Sequence, residues 1–205
     1  MNYEILGSFL VASMLLTMMP GPDIIYVLVQ SMTNGKKYGI VTSLGLVTGV
    51  IIHTTLVAFG VSALIKQSEN IYFSIKLFGA MYLLYLAYLT FKSDEELVLN
   101  RKADRKSFLK LFKQGFFMNV LNPKVSIFFL AFFPGFLYSS SQNTIVQFYV
   151  LGIIFIVQSF IIFSIVSILS GKFAFYLNNN PTFNTKIKWL KILVFVGMAF
   201  FIVFF

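Results

Sequence analysis

The feature that most constrains this chain is a series of long apolar runs separated by short polar linkers. A helix needs about 20 mainly apolar residues to cross the hydrocarbon core of a membrane, and six runs meet that length. They cover residues 4–30, 39–65, 71–91, 111–137, 146–170 and 188–205. Charged residues make up only 11% of the 205 residues, against about 25% in soluble domains. The sequence therefore predicts an all-α integral membrane protein with six transmembrane helices in a single domain, 1–205.

Lysine and arginine concentrate on alternate linkers. Linkers one, three and five and their flanks hold most of the 16 cations, whereas the opposite side has only Lys66, with Lys76 nearby. Because cytoplasmic loops carry the excess of Lys and Arg, we expect these three linkers in the cytoplasm and both termini outside. The net charge of +9 is thus an orientation signal, and nucleic acid is not an expected partner. The absence of Cys excludes disulfides and thiolate metal sites, and neither a metal nor a cofactor is expected.

The six runs divide at a charged cytoplasmic linker, 92–110, into a repeat at 1–92 and a repeat at 108–205. Three spans per half force the halves to be inverted relative to each other, as in many transporters. The first run of each half is interrupted at a comparable place, by Pro20-Gly21-Pro22-Asp23 and by Asn122-Pro123-Lys124. The rise of about 1.5 Å per residue places each interruption roughly 13–15 Å inside the membrane. We therefore expect two inverted three-helix repeats, with helices 1 and 4 broken at PGPD and NPK near the midplane.

The two interruptions point to a site because proline removes a backbone donor and frees carbonyl groups one turn earlier. Such groups are tolerated at that depth only against protein or a water-filled cavity. A packing kink would explain one proline, whereas two at matched depth, each followed by an ionisable residue, favour a functional cavity.

Asp23 and Lys124 have two interpretations. They form a buried ion pair that holds the halves together, or they are counter-charges for a substrate that carries both signs. An amino acid fits the second interpretation, with its carboxylate on Lys124 and its ammonium on Asp23 and unwound carbonyls. The two interpretations are compatible if the pair opens during transport.

His53 lies in the middle of run two. Its pKa range suits proton coupling, and a hydrogen bond between helices explains it equally well.

Small and polar residues within the runs suggest where helices meet. The spacings Gly35 to Gly39 and Gly45 to Gly49 allow two helices to approach closely. Polar residues in run five could form an inward stripe or hydrogen bonds between helices. These are Gln147, Gln158, Ser159, Ser164 and Ser167.

Several motifs match a known pattern. They are Pro20-Gly21-Pro22-Asp23, then Gly35-Lys36-Lys37-Tyr38-Gly39 with Gly45, Gly49 and His53, the stretch Lys76 to Leu83, Gly115-Phe116 through Asn119, and Asn122-Pro123-Lys124 with Pro134 and Phe136. Together they resemble the LysE/RhtB amino-acid exporter family. The resemblance covers about residues 7–137 in motifs and the whole chain in length and span pattern.

The resemblance implies a secondary transporter that exports amino acids or close derivatives across the bacterial inner membrane, driven by the proton motive force. The partners it implies are a small-molecule substrate, a coupling proton, the lipid bilayer and a second copy in a homodimer. Substrate-binding roles carry over to matching residues, and Asp23 and His53 are the candidates for proton coupling. The substrate-binding candidates are Pro20, Gly21, Pro22, Asp23, Asn122, Pro123 and Lys124.

Three other functions are alternatives to the export of an amino acid. An exporter of another small solute or cation in the same superfamily is the main alternative. An intramembrane enzyme would need a second catalytic carboxylate or a nucleophile–base pair at depth, and no second acidic residue lies there, so we expect no catalytic residues. A scaffold would not need two matched helix breaks. A single acid at the midplane gives no reason to prefer basic substrates, so neutral amino acids are expected.

Overall fold

The computed structural model describes residues 2–61, 69–93, 105–179 and 181–204. Within these ranges every regular element is helical. Four helices are long and apolar enough to cross a membrane, and up to six spans result if each of two bent helix pairs counts as one. The prediction of an all-helical chain with several spans is confirmed. Parts of predicted run two and of linkers two and three, 62–68 and 94–104, lie outside the described residues, together with Lys66, Arg101 and Lys102.

The described helices follow the predicted runs with one addition. In chain order they are α1 (Tyr3–Met18), α2 (Pro22–Asn34), α3 (Lys36–Leu56), α4 (Glu69–Lys92), α5 (Phe108–Val120), α6 (Pro123–Ile127), α7 (Thr144–Ile168), α8 (Ser170–Asn179) and α9 (Pro181–Phe204). A π-helical turn, Val57–Val61, continues α3. A π-helical turn, Phe128–Phe132, and a 3₁₀ turn, Phe133–Phe136, continue α6.

Predicted run one folds as the bent pair α1 and α2. Asn2 begins α1 because its side chain accepts hydrogen bonds from the backbone N–H groups of Glu4 and Ile5. The chain is extended at Met19 and Gly21, and α2 begins at Pro22, where a helix needs no N–H donor. The two axes differ by 59°. The break therefore lies at the predicted PGPD motif.

Predicted run four folds as a second bent pair. Ser107 begins α5 by accepting a hydrogen bond from the N–H of Lys110. The helix ends at Val120, and α6 begins at Pro123 behind the capping side chain of Asn122. The axes before and after this point differ by 48°. The second break therefore lies at the predicted NPK motif.

The addition is α8, which occupies a stretch that the sequence analysis assigned to linker five. Ala174 of this helix is buried in the apolar core around α2, and Phe173 packs against the same core. The helix is short and carries Lys172 on its exposed surface, so its apolar content is too small to stand out as a membrane run. The next helix, α9, begins at Pro181, seven residues before the predicted start of run six.

Helices α3 and α5 approach closely because glycines remove side chains from their contact. A Cβ added at Gly45 would collide with the backbone carbonyl of Phe112, and one at Gly115 with the carbonyl of Thr42. The close approach predicted from the Gly45 spacing is therefore confirmed. Gly35 has a different role, since it separates α2 from α3 with φ of +99°, a conformation that side chains disfavour.

Two apolar cores stabilise the bundle. The larger joins α1, the segment 128–136, α4, α7 and α9, and it is rich in phenylalanine. The smaller joins α2, α3, α7 and α8. Fully buried side chains of the larger core include Phe9, Phe128, Phe129, Phe133, Phe136 and Phe148.

Candidate functional site

The two helix breaks place equivalent residues at equivalent positions. Pro22 is the first residue of α2 and Pro123 the first residue of α6, so Asp23 and Lys124 are each the second helical residue after a break. The alignment of the two motifs in the sequence therefore corresponds to a shared local structure. The prolines themselves are exposed on the outside of the bundle, and Pro20 is half-buried between α1 and α2. They shape the breaks, and the following residues supply the charges.

Asp23 and Lys124 form a buried ion pair. The Lys124 Nζ lies 3.4 Å from the Asp23 Oδ2, and the two residues are 4% and 8% exposed. The pair joins α2 of the first half to α6 of the second half. Desolvation makes a lone charge at such a site expensive, so each residue stabilises the other.

The Lys124 ammonium also contacts the end of α1. It donates to the carbonyl oxygens of Leu16 at 3.3 Å and of Met19 at 3.5 Å. Helix-terminal carbonyls have no partner within their helix, and the negative end of the helix dipole lies at the same place. The first break thus creates a site for a cation from two carbonyls and one carboxylate.

Gly21 leaves room for this pair. Its backbone is extended, a conformation open to any residue, so the constraint is steric. A Cβ at Gly21 would lie 2.8 Å from the Asp23 Oδ1 and 3.3 Å from the Lys124 Nζ. Glycine at this position therefore gives the two charged side chains room to meet.

Asn122 positions Lys124 without contacting the carboxylate. Its Oδ1 accepts a hydrogen bond of 3.0 Å from the backbone N–H of Lys124, as an N-cap does. Its Nδ2 is buried and has no hydrogen-bond partner among the described residues.

His53 contacts the second break. Its Nε2 lies 3.2 Å from the backbone carbonyl oxygen of Asn119, and because a carbonyl only accepts, the Nε2 carries the hydrogen. The ring is buried and packs 5.5 Å from the ring of Phe129. His53 does not line the cavity at the ion pair. His53, a predicted candidate for proton coupling, therefore lies away from the pair of Asp23 and Lys124.

A small cavity adjoins the ion pair. It has a volume of about 10 Å³, on the order of one water molecule, so it is closed to a substrate in this conformation. Polar side chains line one part and apolar side chains the rest. The lining comprises Leu16, Thr17, Asp23, Leu46, Val47, Val50, Asn119, Lys124, Val125, Phe155, Ser159 and Phe163.

Sequence reasoning missed Thr17, which lies six residues before the PGPD charge and faces α7 across the cavity. Its Oγ1 lies 3.0 Å from the Ser159 Oγ and 3.0 Å from the Gln158 Nε2. A threonine inside an apolar run gives little signal, because its hydroxyl can bond within its own helix. The residues Gln158 and Ser159 of the predicted stripe do face inward.

The other residues of that predicted stripe serve different purposes. Gln147 binds the backbone of Tyr138 and Ser139 ahead of α7. Ser167 donates to the carbonyl of Phe163 in its own helix. Of the stripe, Ser159 therefore lines the cavity, and Gln158 lies behind it.

Metal-binding side chains do not cluster in the part of the chain that the structure describes, where no group of three or more His, Asp or Glu could hold an ion.

Comparison with known proteins yields one family and close relatives. The family model described as LysE type translocator matches residues 14–205. The homoserine/homoserine lactone efflux protein of Salmonella typhimurium is 29% identical over 177 residues, covering 86% of this chain and 85% of the relative. The protein of the same description from Salmonella typhi is 30% identical over the same shares. No solved structure matches the chain.

Proposed function

This chain belongs to the LysE type translocator family, and on that premise we propose that it is a secondary transporter that exports small neutral amino acids. One observation carries the proposal: a buried Asp23–Lys124 pair where the two broken helices meet. Ionisable residues near the membrane midplane mark substrate and ion pathways, and transporters form such sites at broken helices. The family is one of translocators, so transport rather than catalysis is the expected activity.

The contacts of Lys124 suggest how a substrate would bind. Its ammonium occupies a site formed by the Asp23 carboxylate and the carbonyls of Leu16 and Met19. The α-ammonium of an amino acid has the same charge and the same donors, so it can replace the lysine there. The released Lys124 is then free to bind the substrate's α-carboxylate. The ion pair and the counter-charge interpretations thus describe two stages of one cycle.

The closed cavity fits an alternating-access cycle. At about 10 Å³ it is far below the hundreds of Å³ of typical ligand pockets, so the two bent spans must separate before a substrate enters. The breaks at Gly21 and Asn122 supply the points where each span can change its angle.

Helix contacts support the inverted-repeat arrangement. Helix α3 packs on α5, its counterpart α7 packs on α1, and α4 packs on α9. A two-fold axis that relates 1–92 to 108–205 would convert the contact of α3 with α5 into that of α7 with α1, and it would exchange α4 with α9. We propose the bacterial inner membrane from the family resemblance, and both termini outside from the charge of the linkers. The homodimer stays a prediction from the family resemblance.

The two charges of the site indicate the net charge of the substrate. Asp23 and Lys124 carry opposite unit charges, so the site as a whole favours a substrate without net charge. The Salmonella relatives are described as homoserine/homoserine lactone efflux proteins, and homoserine is a neutral amino acid. It is the first substrate to test.

Proton coupling is assigned to Asp23. Its carboxylate holds the ammonium group in the site, so a proton bound there would compete with the ammonium of the substrate. Protonation would weaken the site for an ammonium group and so favour release. His53 is the second candidate, and its contact with Asn119 at the other break supports a positioning role.

The test is efflux of labelled homoserine from proteoliposomes with and without an imposed pH gradient. Asp23→Asn and Lys124→Ala are expected to abolish efflux while the protein still inserts. Lys76→Ala is the matched control, since Lys76 is also a cation within a predicted span but lies against Tyr72, 5.9 Å from its ring. Normal efflux by both site variants would overturn the assigned roles.

A further inference from the structure

A polar wall, formed by Thr17, Gln158 and Ser159, stands beside the charges of the site. Thr17 comes from α1, and the other two from α7. All three residues are buried, with exposures of 4%, 6% and 1%. Thr17 and Ser159 line the cavity, and Gln158 lies behind them.

Every donor hydrogen on the side chains of this polar wall takes part in a hydrogen bond, either within the wall or to the backbone of α1. The Thr17 hydroxyl donates to the Ser13 carbonyl at 2.8 Å. The hydroxyl pair at 3.0 Å is therefore a bond from Ser159 to Thr17. The Gln158 Nε2 donates to the Thr17 Oγ1 at 3.0 Å and to the Ser159 Oγ at 2.8 Å. An amide has two such hydrogens and a hydroxyl has one, so no donor of the wall is left over.

The acceptors, in contrast, are not exhausted. The Gln158 Oε1 and the Asn119 Oδ1 are buried and have no hydrogen-bond partner within the described ranges. The Ser159 Oγ accepts one bond and retains a second lone pair. Asn119 and Ser159 both line the cavity. Apart from the Lys124 ammonium and the Asn119 Nδ2, the bonding capacity described at this face is therefore that of acceptors.

The remainder of the cavity is apolar. Its wall includes Leu46, Val50, Phe155 and Phe163. A face rich in acceptors opposite an apolar wall suits a short side chain with one terminal donor, because the methylene groups can pack while the donor reaches an oxygen. A side chain with only acceptors would leave buried oxygens facing each other with no hydrogen between them, which is unfavourable.

We propose that Ser159, oriented by Thr17 and Gln158, is a specificity-determining residue whose Oγ accepts a hydrogen bond from a side-chain hydroxyl of the substrate. The inference rests on the proposed export of amino acids and specifies how that site selects among them. It predicts that the transporter prefers a hydroxylated amino acid over the aliphatic one of the same size. The backbone charges of the substrate are the same in both, so the preference depends on this wall.

Homoserine and norvaline form the test pair, because they differ only in a terminal hydroxyl or methyl group. Purified protein in proteoliposomes preloaded with equal concentrations of both is expected to release homoserine at least about tenfold faster, which corresponds to about 1.4 kcal/mol. The variant Thr17→Val/Gln158→Leu/Ser159→Ala replaces the whole wall by apolar groups and leaves no orphaned donor. It is expected to release the two amino acids at rates within about twofold of each other.

Ser159→Ala alone keeps the proposal testable if the triple variant fails to insert. It is expected to lower the homoserine-to-norvaline ratio at least about threefold, the equivalent of a modest hydrogen bond. Ser164→Ala is the matched control, because Ser164 is also on α7, but five residues further and about 140° around the helix. It is expected to keep the wild-type ratio.

The outcomes separate the two proposals. Equal release of homoserine and norvaline by the wild-type protein would overturn the specificity role and leave amino-acid export standing. An unchanged ratio in the wall variants, or an equal drop in Ser164→Ala, would also overturn it. Release of neither amino acid by the wild-type protein would overturn the proposed export of neutral amino acids and this inference with it.

Discussion

The two helix breaks of this protein have the same local structure, but different side chains bind the backbone carbonyls beside them. In each, a proline begins the second helix and a charged residue follows it. At the first break, the freed carbonyls of Leu16 and Met19 bind the ammonium of Lys124. At the second, the backbone carbonyl of Asn119, which also accepts a hydrogen bond from the N–H of Asn122, contacts the ring of His53.

We interpret the contact at the first break as one that a substrate can exchange, and the contact at the second break as structural. An amino-acid substrate carries an ammonium group that can replace Lys124, whereas it carries nothing that matches an imidazole bound between α3 and α5. We therefore propose that the first break is the binding side of the site and that the second break supports it. The predictions below test that division.

Exchange of the two charges tests it most strongly. In Asp23→Lys/Lys124→Asp the opposite signs are kept, but the carboxylate at position 124 then faces the carbonyls of Leu16 and Met19. We expect the double variant to insert better than Asp23→Lys or Lys124→Asp alone, because the buried charges still balance. Its homoserine efflux is expected to fall by about 100-fold or more, the equivalent of about 3 kcal/mol. Efflux close to wild type would show that the two breaks are interchangeable.

Gly21→Ala tests the packing of the first break. The added Cβ would meet the ends of the Asp23 and Lys124 side chains, which can shift without moving the backbone. We expect efflux to fall about tenfold, since about 1.4 kcal/mol is lost from the pair, while the melting temperature in detergent stays close to wild type. A large loss of thermal stability with unaltered transport per folded molecule would contradict this assignment.

His53 tests whether the second break is structural. His53→Leu removes the donor to the Asn119 carbonyl, so we expect efflux to fall about fivefold, the equivalent of about 1 kcal/mol for one hydrogen bond. His53→Gln keeps a donor that does not titrate and is expected to restore efflux to within about twofold, with its response to the pH gradient intact. Loss of that response in His53→Gln, with downhill efflux retained, would instead assign proton coupling to His53.

Gly49→Ala has the smallest expected effect on transport. Its Cβ would lie 2.8 Å from the Asn119 Oδ1 and 3.0 Å from the Phe116 carbonyl oxygen, so the contact of α3 with the second break must loosen. We expect a melting temperature lower by about 3 °C, or about 1 kcal/mol in a chain of this length, with near-normal efflux. Gly7→Ala is the control, because nothing lies within 4 Å of its added Cβ, and it should not lower the melting temperature.

Much of the fold followed from the sequence because membrane insertion imposes long apolar runs and strict satisfaction of backbone groups. The runs, both breaks and the equivalence of Asp23 with Lys124 could be predicted in this way. Helix α8 could not, since its ten residues are too few and too mixed to give an apolar run. The part played by Thr17 was equally hidden, because a hydroxyl in an apolar run has the same pattern whether it bonds within its helix or across a cavity.

The sequence by itself determined that this chain is a helical membrane protein of a translocator family, with two opposite charges at matched helix breaks. Those conclusions depend on hydropathy, charge and motif spacing, which are properties of local sequence. Only the tertiary structure decided that the two charges meet, that Lys124 binds the carbonyls at the end of α1, and that His53 contacts the other break. Which backbone carbonyl binds which side-chain donor depends on how distant helices pack, and local sequence does not encode that choice.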